Sequence, residues 1–169
     1  MRDSMSENFK ANNNNSYRKR EKRALAWIEA VNGKKNFGWT IPGKLRDGVA
    51  LCNLINNLQP GSISQVSTSK MAFKQRENIM SFLKVIYQYG VPKQEIFKPV
   101  DLLEGSNMLQ VICTIEALGQ LAHKKGYKGP ALNDKILWIK LSFQYVKTTM
   151  MYDRWVREIW ERPITKSLF

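Results

Sequence analysis

Histidine and cysteine are scarce in this sequence, which has one histidine, His123, and two cysteines, Cys52 and Cys113, among 169 residues. A structural zinc site needs about four ligands, and His123 has no partner at metal-binding spacing. Two cysteines inside apolar segments are not the disulfide framework of a small secreted protein, so we expect a cytoplasmic location. Nucleophilic catalysis needs a general base beside the nucleophile, and a single histidine can be the base of at most one such site. We therefore predict no metal, no catalytic residue and no enzymatic activity.

Long apolar runs and phosphate-binding motifs are missing too. No stretch of about 18 apolar residues could span a bilayer, and residues 1–15 are polar and asparagine-rich, unlike a signal peptide. The glycines at 48, 90 and 105 do not belong to a glycine-rich loop followed by Lys-Ser or Lys-Thr, as a nucleotide site requires. We expect no integral membrane insertion and no cofactor.

Acidic residues are few beside the basic ones. The 27 Lys and Arg against 14 Asp and Glu give a net charge of +13, which attracts polyanions such as nucleic acid, acidic lipid or an acidic protein filament. The excess is spread along the chain, with +5 over residues 1–35, +3 over 36–110 and +5 over 111–169. No nucleic-acid reader module is recognisable, so we expect no nucleic-acid partner.

The first part of the chain divides into a polar leader and an amphipathic helix. Residues 8–16, with four consecutive asparagines at 12–15, have little to bury, so residues 1–16 are predicted to be a disordered leader. Order is expected from Tyr17, and Gly33 ends the helical pattern. The apolar stripe of this helix consists of Ala24, Trp27, Ile28 and Val31. It is expected on the side opposite Arg20, Glu21 and Arg23.

Three more segments have apolar residues at helical spacing, and each ends at a glycine or proline. Their apolar residues are Leu51, Leu54, Ile55 and Leu58; Ile79, Phe82, Leu83 and Ile86; and Val111, Ile115, Leu118 and Ala122. Asn107 is expected to cap the last helix, with Gln110 as its reciprocal partner. Residues 17–126 contain no competing strand pattern, which predicts an all-α fold of four main helices plus short connecting helices.

Trp27 is the predicted centre of the core. Burying an indole removes roughly 150–250 Å² from water, worth about 4–6 kcal/mol before the entropic cost. The other expected core residues are Leu51, Leu54, Ile55, Ile79, Phe82, Ile86, Phe97, Leu102, Val111, Ile115 and Leu118. Cys52 and Cys113 lie on or beside the apolar stripes and are expected to pack as small hydrophobes.

An ordered series of short motifs across residues 18–132 resembles the calponin-homology domain. The motifs include Trp27-Ile28-Glu29, Leu45-Arg46-Asp47-Gly48-Val49, Leu58-Gln59-Pro60-Gly61, Glu77-Asn78-Ile79, Tyr89-Gly90-Val91, Val100-Asp101-Leu102 and Tyr127-Lys128-Gly129-Pro130. They are similar to the single-domain calponin and transgelin branch, including its insect muscle calponin-like members. The resemblance implies a compact helical domain over residues 17–132 and a cytoskeletal protein that binds, stabilises or bundles actin filaments.

Two groups of basic residues are the candidates for contact with filamentous actin. The first group, on the first helix, is Arg18, Lys19, Arg20, Lys22 and Arg23, and the second, after the fourth helix, is Lys124, Lys125 and Lys128. Several cations acting together raise encounter rate and affinity, whereas one exposed ion pair is worth only about 0–1 kcal/mol. The alternative is that both groups are solvated faces without a partner.

Residues 133–169 form an aromatic and basic extension without the Gly-Leu-Gln and Gly-Ser-Asn repeat found after this domain in calponins and transgelins. The seam Ile136, Ile139, Phe143, Val146 and Met150 fits a helix, and alternation over 139–145 fits a strand; we predict helix. The extension either packs on the domain, which we favour, or binds a partner or membrane surface. The missing repeat supports an alternative function, an adaptor that docks signalling proteins with little affinity for actin.

Overall fold

The computed structural model describes residues 2–33, 43 and 45–132, with side chains from residue 14 onward. Helix α1 spans Arg2–Asn32, α2 Val49–Leu58, α3 Ala72–Tyr89, α4 Pro99–Leu103 and α5 Met108–Lys124, and a 3-10 turn covers Lys93–Glu95. The described residues contain no strand. The prediction of an all-α fold is confirmed, with α1, α2, α3 and α5 as the main helices and α4 and the 3-10 turn as short connections.

Helix α1 begins earlier than the sequence pattern indicates. Its backbone is helical from Arg2, whereas the apolar stripe predicts order only from Tyr17. Asparagine is a weak helix former but is tolerated, so a helix can extend beyond the turns that pack on the core. The mobility of residues 1–16 and the domain boundaries at 17 and 132 stay predictions. The helix and the packing predicted for the extension lie outside the described residues.

Helix α5 occupies the middle of the domain. It packs against α1, α4 and the 3-10 turn, while α2 packs against both α1 and α3. Trp27 is 1% exposed, and the eleven other side chains expected in the core are all buried, none with more than 2% of its surface exposed. The core is therefore one continuous cluster in which α5 touches elements on several sides.

Trp27 connects α1 to α5 and to the chain that follows α5. Its Nε1 donates a hydrogen bond to the carbonyl oxygen of Pro130 at 2.8 Å. A Cβ built on Gly119 would lie 3.4 Å from the indole and 3.3 Å from Leu132, so glycine lets the ring lie close to the α5 backbone. The motif around residues 127–130 thus has a physical role, because it supplies the acceptor for a buried N–H group.

Two of the sequence motifs meet where α2 begins. Gly48 has φ +73°, and a Cβ on it would lie 2.7 Å from the Cβ of Asn78. The buried Asn78 amide donates from Nδ2 to the carbonyl oxygens of Asp47 at 2.8 Å and Ser67 at 2.7 Å. Its Oδ1 accepts from the backbone N–H of Ser67 at 3.0 Å. One side chain on α3 therefore fixes the segments that precede α2 and α3.

The cap of α5 agrees with the sequence prediction in one of its two halves. Asn107 Oδ1 accepts from the backbone N–H of Gln110 at 3.2 Å, as expected for an N-cap. Among the described residues the Gln110 side chain accepts no hydrogen bond from the backbone N–H of Asn107, and its Nε2 donates to the carbonyl oxygen of Gln94 at 3.4 Å. The 3-10 turn that packs beside α5 offers this acceptor, so a tertiary contact replaces the expected local one.

Replacing Gly48 by alanine is expected to destabilise the domain by about 2–4 kcal/mol, since left-handed backbone and steric overlap with Asn78 both oppose a Cβ. Gly61→Ala is the matched control, because Gly61 has φ +77° but a Cβ added to it would meet nothing within 4 Å. The Gly61→Ala variant should lose only about 1–2 kcal/mol of its free energy of unfolding. Urea unfolding of both variants measures the difference, and equal losses would show that the contact with Asn78 is unimportant.

Candidate functional site

The eight candidate basic residues fall into two classes of exposure. The exposed ones are Arg18, Lys19 and Lys22 on α1, and Lys124, Lys125 and Lys128 at and after the end of α5. Arg20 and Arg23 are only half-exposed. The candidates are thus not equivalent, and the intramolecular contacts of each decide what it can offer to a partner.

Arg20 and Arg23 share one carboxylate on α5. Arg20 Nη2 lies 2.5 Å from Glu116 Oε2, its Nε 3.2 Å from the same oxygen, and Arg23 Nη2 2.9 Å from Oε1. The Glu116 side chain is 12% exposed and each arginine side chain 32% exposed. Two cations around one nearly buried anion leave the cluster with one net positive charge at the α1–α5 contact. These arginines hold two helices together as well as contributing charge.

The predicted position of Arg20 on α1 is wrong. We expected Arg20, Glu21 and Arg23 opposite the apolar stripe, yet Glu21 is buried and Arg20 contacts α5. Arg20 precedes Trp27 by two helical turns and therefore lies on the same side of the helix. The spacing could have placed Arg20, but its acceptor could not be identified from local pattern, because Glu116 is 96 residues away in sequence.

The electrostatics of the cluster favour its charged form. Burial on its own would raise the pKa of Glu116, but the hydrogen bonds and charges of Arg20 and Arg23 outweigh it and lower that pKa below its ordinary value. The hydrogen bond with Glu116 in turn raises the pKa of the Arg20 guanidinium. The Glu116 carboxylate is therefore charged at neutral pH, and the cluster acts as a fixed structural element.

Lys125 is also engaged within the domain. Its Nζ donates to the backbone carbonyl oxygen of Tyr89 and lies 4.3 Å from the centroid of the Tyr89 ring. This cation–π contact joins the end of α5 to the end of α3. Lys124 and Lys128 remain the exposed cations of the second group without an ion pair among the described residues.

The two basic groups lie at different levels along the α1–α5 pair. Helices α1 and α5 run in the same direction, because Arg20 lies beside Glu116 and the later Trp27 lies beside the later Gly119. From Glu116 to Lys124 the axis of α5 advances about 12 Å, at 1.5 Å per residue. Arg18 and Lys19 therefore lie beside the middle of α5, next to the level of Glu116, and Lys124 lies at its end.

The two cysteines have different surroundings. Cys52 is buried, its Sγ donates to the carbonyl oxygen of Asn78 at 3.3 Å, and burial together with the charge of Asp47 raises its pKa to about 12. Cys113 is half-buried and its Sγ accepts from Arg20 Nη2 at 3.2 Å, a polar contact that apolar periodicity does not predict. In the described part of the chain, no three His, Cys, Asp or Glu side chains are grouped as metal ligands. Among those residues no helix combines the length and apolar character needed to cross a bilayer.

Comparison with known sequences identifies the domain. The family model "Calponin homology (CH) domain" matches residues 18–124. Muscle-specific protein 20 of Drosophila melanogaster is 41% identical over 117 residues, which is 68% of this chain and 64% of that protein. Myophilin of Echinococcus granulosus is 40% identical over 119 residues, covering 69% of this chain and 63% of that protein. The chain thus spans less than two thirds of the length of these two relatives.

Solved structures share the same architecture. The calponin-homology domain of Rng2 from Schizosaccharomyces pombe has a TM-score of 0.63 at 30% identity, over 71% of this chain and 77% of that one. The calponin-homology domain of an IQGAP protein from the same organism also has a TM-score of 0.63, at 31% identity, over 69% of this chain and 74% of that one.

Changing Glu116 to glutamine is expected to destabilise the domain by about 1–3 kcal/mol at neutral pH, because two half-buried arginines lose their shared anion. The folded pKa of Glu116 is lowered, so its contribution is complete above the ordinary carboxyl pKa and disappears as the pH falls through the lowered value. The difference between wild type and variant should therefore shrink below about pH 4. Thermal unfolding between neutral and acidic pH measures this difference.

Glu104→Gln is the matched control, because Glu104 is exposed at the end of α4 and has no ion pair among the described residues. It should leave the stability of the domain nearly unchanged at every pH. If the difference in stability between wild type and Glu116→Gln stayed constant with pH, the pH dependence could not be assigned to Glu116.

Proposed function

This chain belongs to the calponin-homology domain family, and on that premise we propose that it is a non-enzymatic cytoskeletal protein that associates with actin filaments through its basic residues. The match of the family to residues 18–124 is the observation that carries the proposal. The net charge of +13 supports it, because an acidic filament attracts such a protein over several ångströms. One relative is muscle-specific by name, and we extend a place in the muscle cytoplasm to this chain as part of the proposal.

The exposed cations would make the contact. On α1 these are Arg18 and Lys19, together with the exposed Lys22, and beyond α5 they are Lys124 and Lys128. Arg20 and Arg23 would act indirectly, since their hydrogen bonds to Glu116 hold the turn of α1 that carries the exposed cations. Lys125 would likewise contribute mainly by fixing the end of α5 against Tyr89.

The separation of the two groups bears on filament stabilisation and bundling. A protein that stabilises or bundles filaments must touch more than one actin subunit or more than one filament. Two cationic groups, one beside the middle of α5 and one at its end, offer two places of contact on one small domain. This geometry supports the stabilising or bundling part of the proposal.

An adaptor that docks signalling proteins with little affinity for actin is the second candidate. It is favoured by the engagement of Arg20, Arg23 and Lys125 inside the domain, which leaves fewer cations for a filament than the sequence suggests. A stoichiometric complex with a signalling protein, formed by a chain that does not pellet with filaments, would favour this candidate over the first.

Pelleting with filamentous actin tests the first proposal. The charge-reversal variant Arg18→Glu with Lys19→Glu is expected to bind filaments roughly three- to tenfold more weakly, because each exposed charge contributes about 0–1 kcal/mol. Raising the salt from about 0.1 M to about 1 M, where the Debye length falls from about 10 to 3 Å, should release the wild-type chain as well.

Lys93→Glu is the matched control for these reversals, since Lys93 is exposed in the 3-10 turn, outside both basic groups. It should bind filaments like the wild type apart from the small effect of net charge. If filament binding changed neither with salt nor with the charge reversals at Arg18 and Lys19, the basic residues would be ruled out as the contact.

A further inference from the structure

Helix α3 carries a line of large apolar side chains on its outer face. Phe73, Met80 and Tyr87 are 56%, 54% and 58% exposed, and we call these three residues the α3 stripe. They are seven residues apart, which stacks them along one side of the helix over about 21 Å. Met71, just before the helix, is also exposed.

The α3 stripe lies on the opposite side of the helix from the core. The buried residues of α3 are Asn78, Ile79, Phe82, Ile86 and Tyr89, which face α2 and the rest of the domain. Single exposed apolar residues are ordinary on protein surfaces, but three in register along one helix form a line of apolar side chains that a partner helix can contact.

The charges around the α3 stripe sum to a net positive charge. Arg76 and Lys84 lie on the same face, at helical spacing between the stripe residues, and make no ion pair among the described residues. Glu77, the one acidic residue on this face, is neutralised by Lys74, whose Nζ lies 2.8 Å from Glu77 Oε2. A partner therefore meets a row of apolar side chains accompanied by net positive charge.

We propose that the α3 stripe binds an acidic amphipathic helix from another protein. Such a helix would set apolar side chains, repeating at intervals of three and four residues, against Phe73, Met80 and Tyr87. Its flanking Asp or Glu side chains would pair with Arg76 and Lys84. The site lies on α3 alone, so the inference does not depend on the proposed contact of α1 and α5 with actin.

The charge pattern disfavours a second copy of this chain as the occupant. If two stripes packed antiparallel with Met80 against Met80, Arg76 of one copy would face Lys84 of the other. A parallel pairing would set Arg76 against Arg76. Like charges at such positions oppose association, so the complementary partner carries acidic residues there.

A membrane fits the stripe less well than a helix does. Lys84 lies between Met80 and Tyr87 on the line, so insertion of the stripe would carry an ammonium group into the acyl layer. Charged groups are costly at that depth. Against a helix the same ammonium group can reach a carboxylate at the edge of the contact.

Binding of the full chain to two synthetic helices, measured by fluorescence anisotropy, tests the proposal. Both probes have three heptads with leucine at the a and d positions, and they differ only in the flanking residues, glutamate in one and lysine in the other. The glutamate probe is expected to bind at least about tenfold more tightly than the lysine probe. Met80→Ser should weaken its binding roughly tenfold or more, since the buried apolar area is lost, and Lys84→Glu roughly three- to tenfold.

Leu109→Ser and Lys93→Glu are the matched controls. Leu109 is 47% exposed on α5, away from the α3 stripe, and Lys93 is an exposed lysine outside α3. Both variants, and the reversal of Arg18 and Lys19, should bind the glutamate probe like the wild type. Far-ultraviolet circular dichroism verifies folding, and Tyr87→Ser replaces Met80→Ser if that variant unfolds.

Three results would overturn the proposal. The first is that the two probes bind equally or not at all, or that the stripe variants leave the affinity for the glutamate probe unchanged. The second is a dimer in sedimentation velocity that Met80→Ser dissociates, which would make a second copy the occupant. The third is binding to phosphatidylserine vesicles that Met80→Ser abolishes in a chain that does not bind the glutamate probe, which would make a membrane the occupant.

Discussion

The packing of Trp27 is the contact on which the rest of the domain depends. Its ring lies against Gly119 of α5 and against Leu132, and its N–H bonds the carbonyl of Pro130. An indole has both a large apolar surface and one donor that must be satisfied, so its burial fixes two things together. It fixes how closely α1 approaches α5, and where the chain runs after α5 ends. Since α5 also packs on α4 and the 3-10 turn, these elements take their places relative to that contact.

Much of this arrangement could be predicted from the sequence, because apolar periodicity reports burial directly. The stripes that contain Leu54, Phe82 and Ile115 all face the core. Polar contacts were predictable only where both partners are close in sequence, as at the cap that Asn107 makes on α5. The partner of Gln110 is a carbonyl in another element, and a local pattern cannot supply it.

The candidate site was harder to predict for the same reason. A run of basic residues does not reveal which of them point outward, and Arg20 and Arg23 are half-buried because a carboxylate on a distant helix accepts their hydrogen bonds. Lys125 is similarly occupied by Tyr89. Sequence reasoning therefore located the basic groups but could not separate cations that bind within the domain from those that remain available.

The hydrogen bond between Trp27 and Pro130 has a mechanical consequence. A tensile force applied to the chain beyond residue 132 reaches the folded domain at Leu132 and the Pro130 carbonyl, before it acts on any helix. The load passes from there into the indole, at the centre of the core, as well as along the chain into the last turn of α5. This anchorage lets the end of the domain resist peeling.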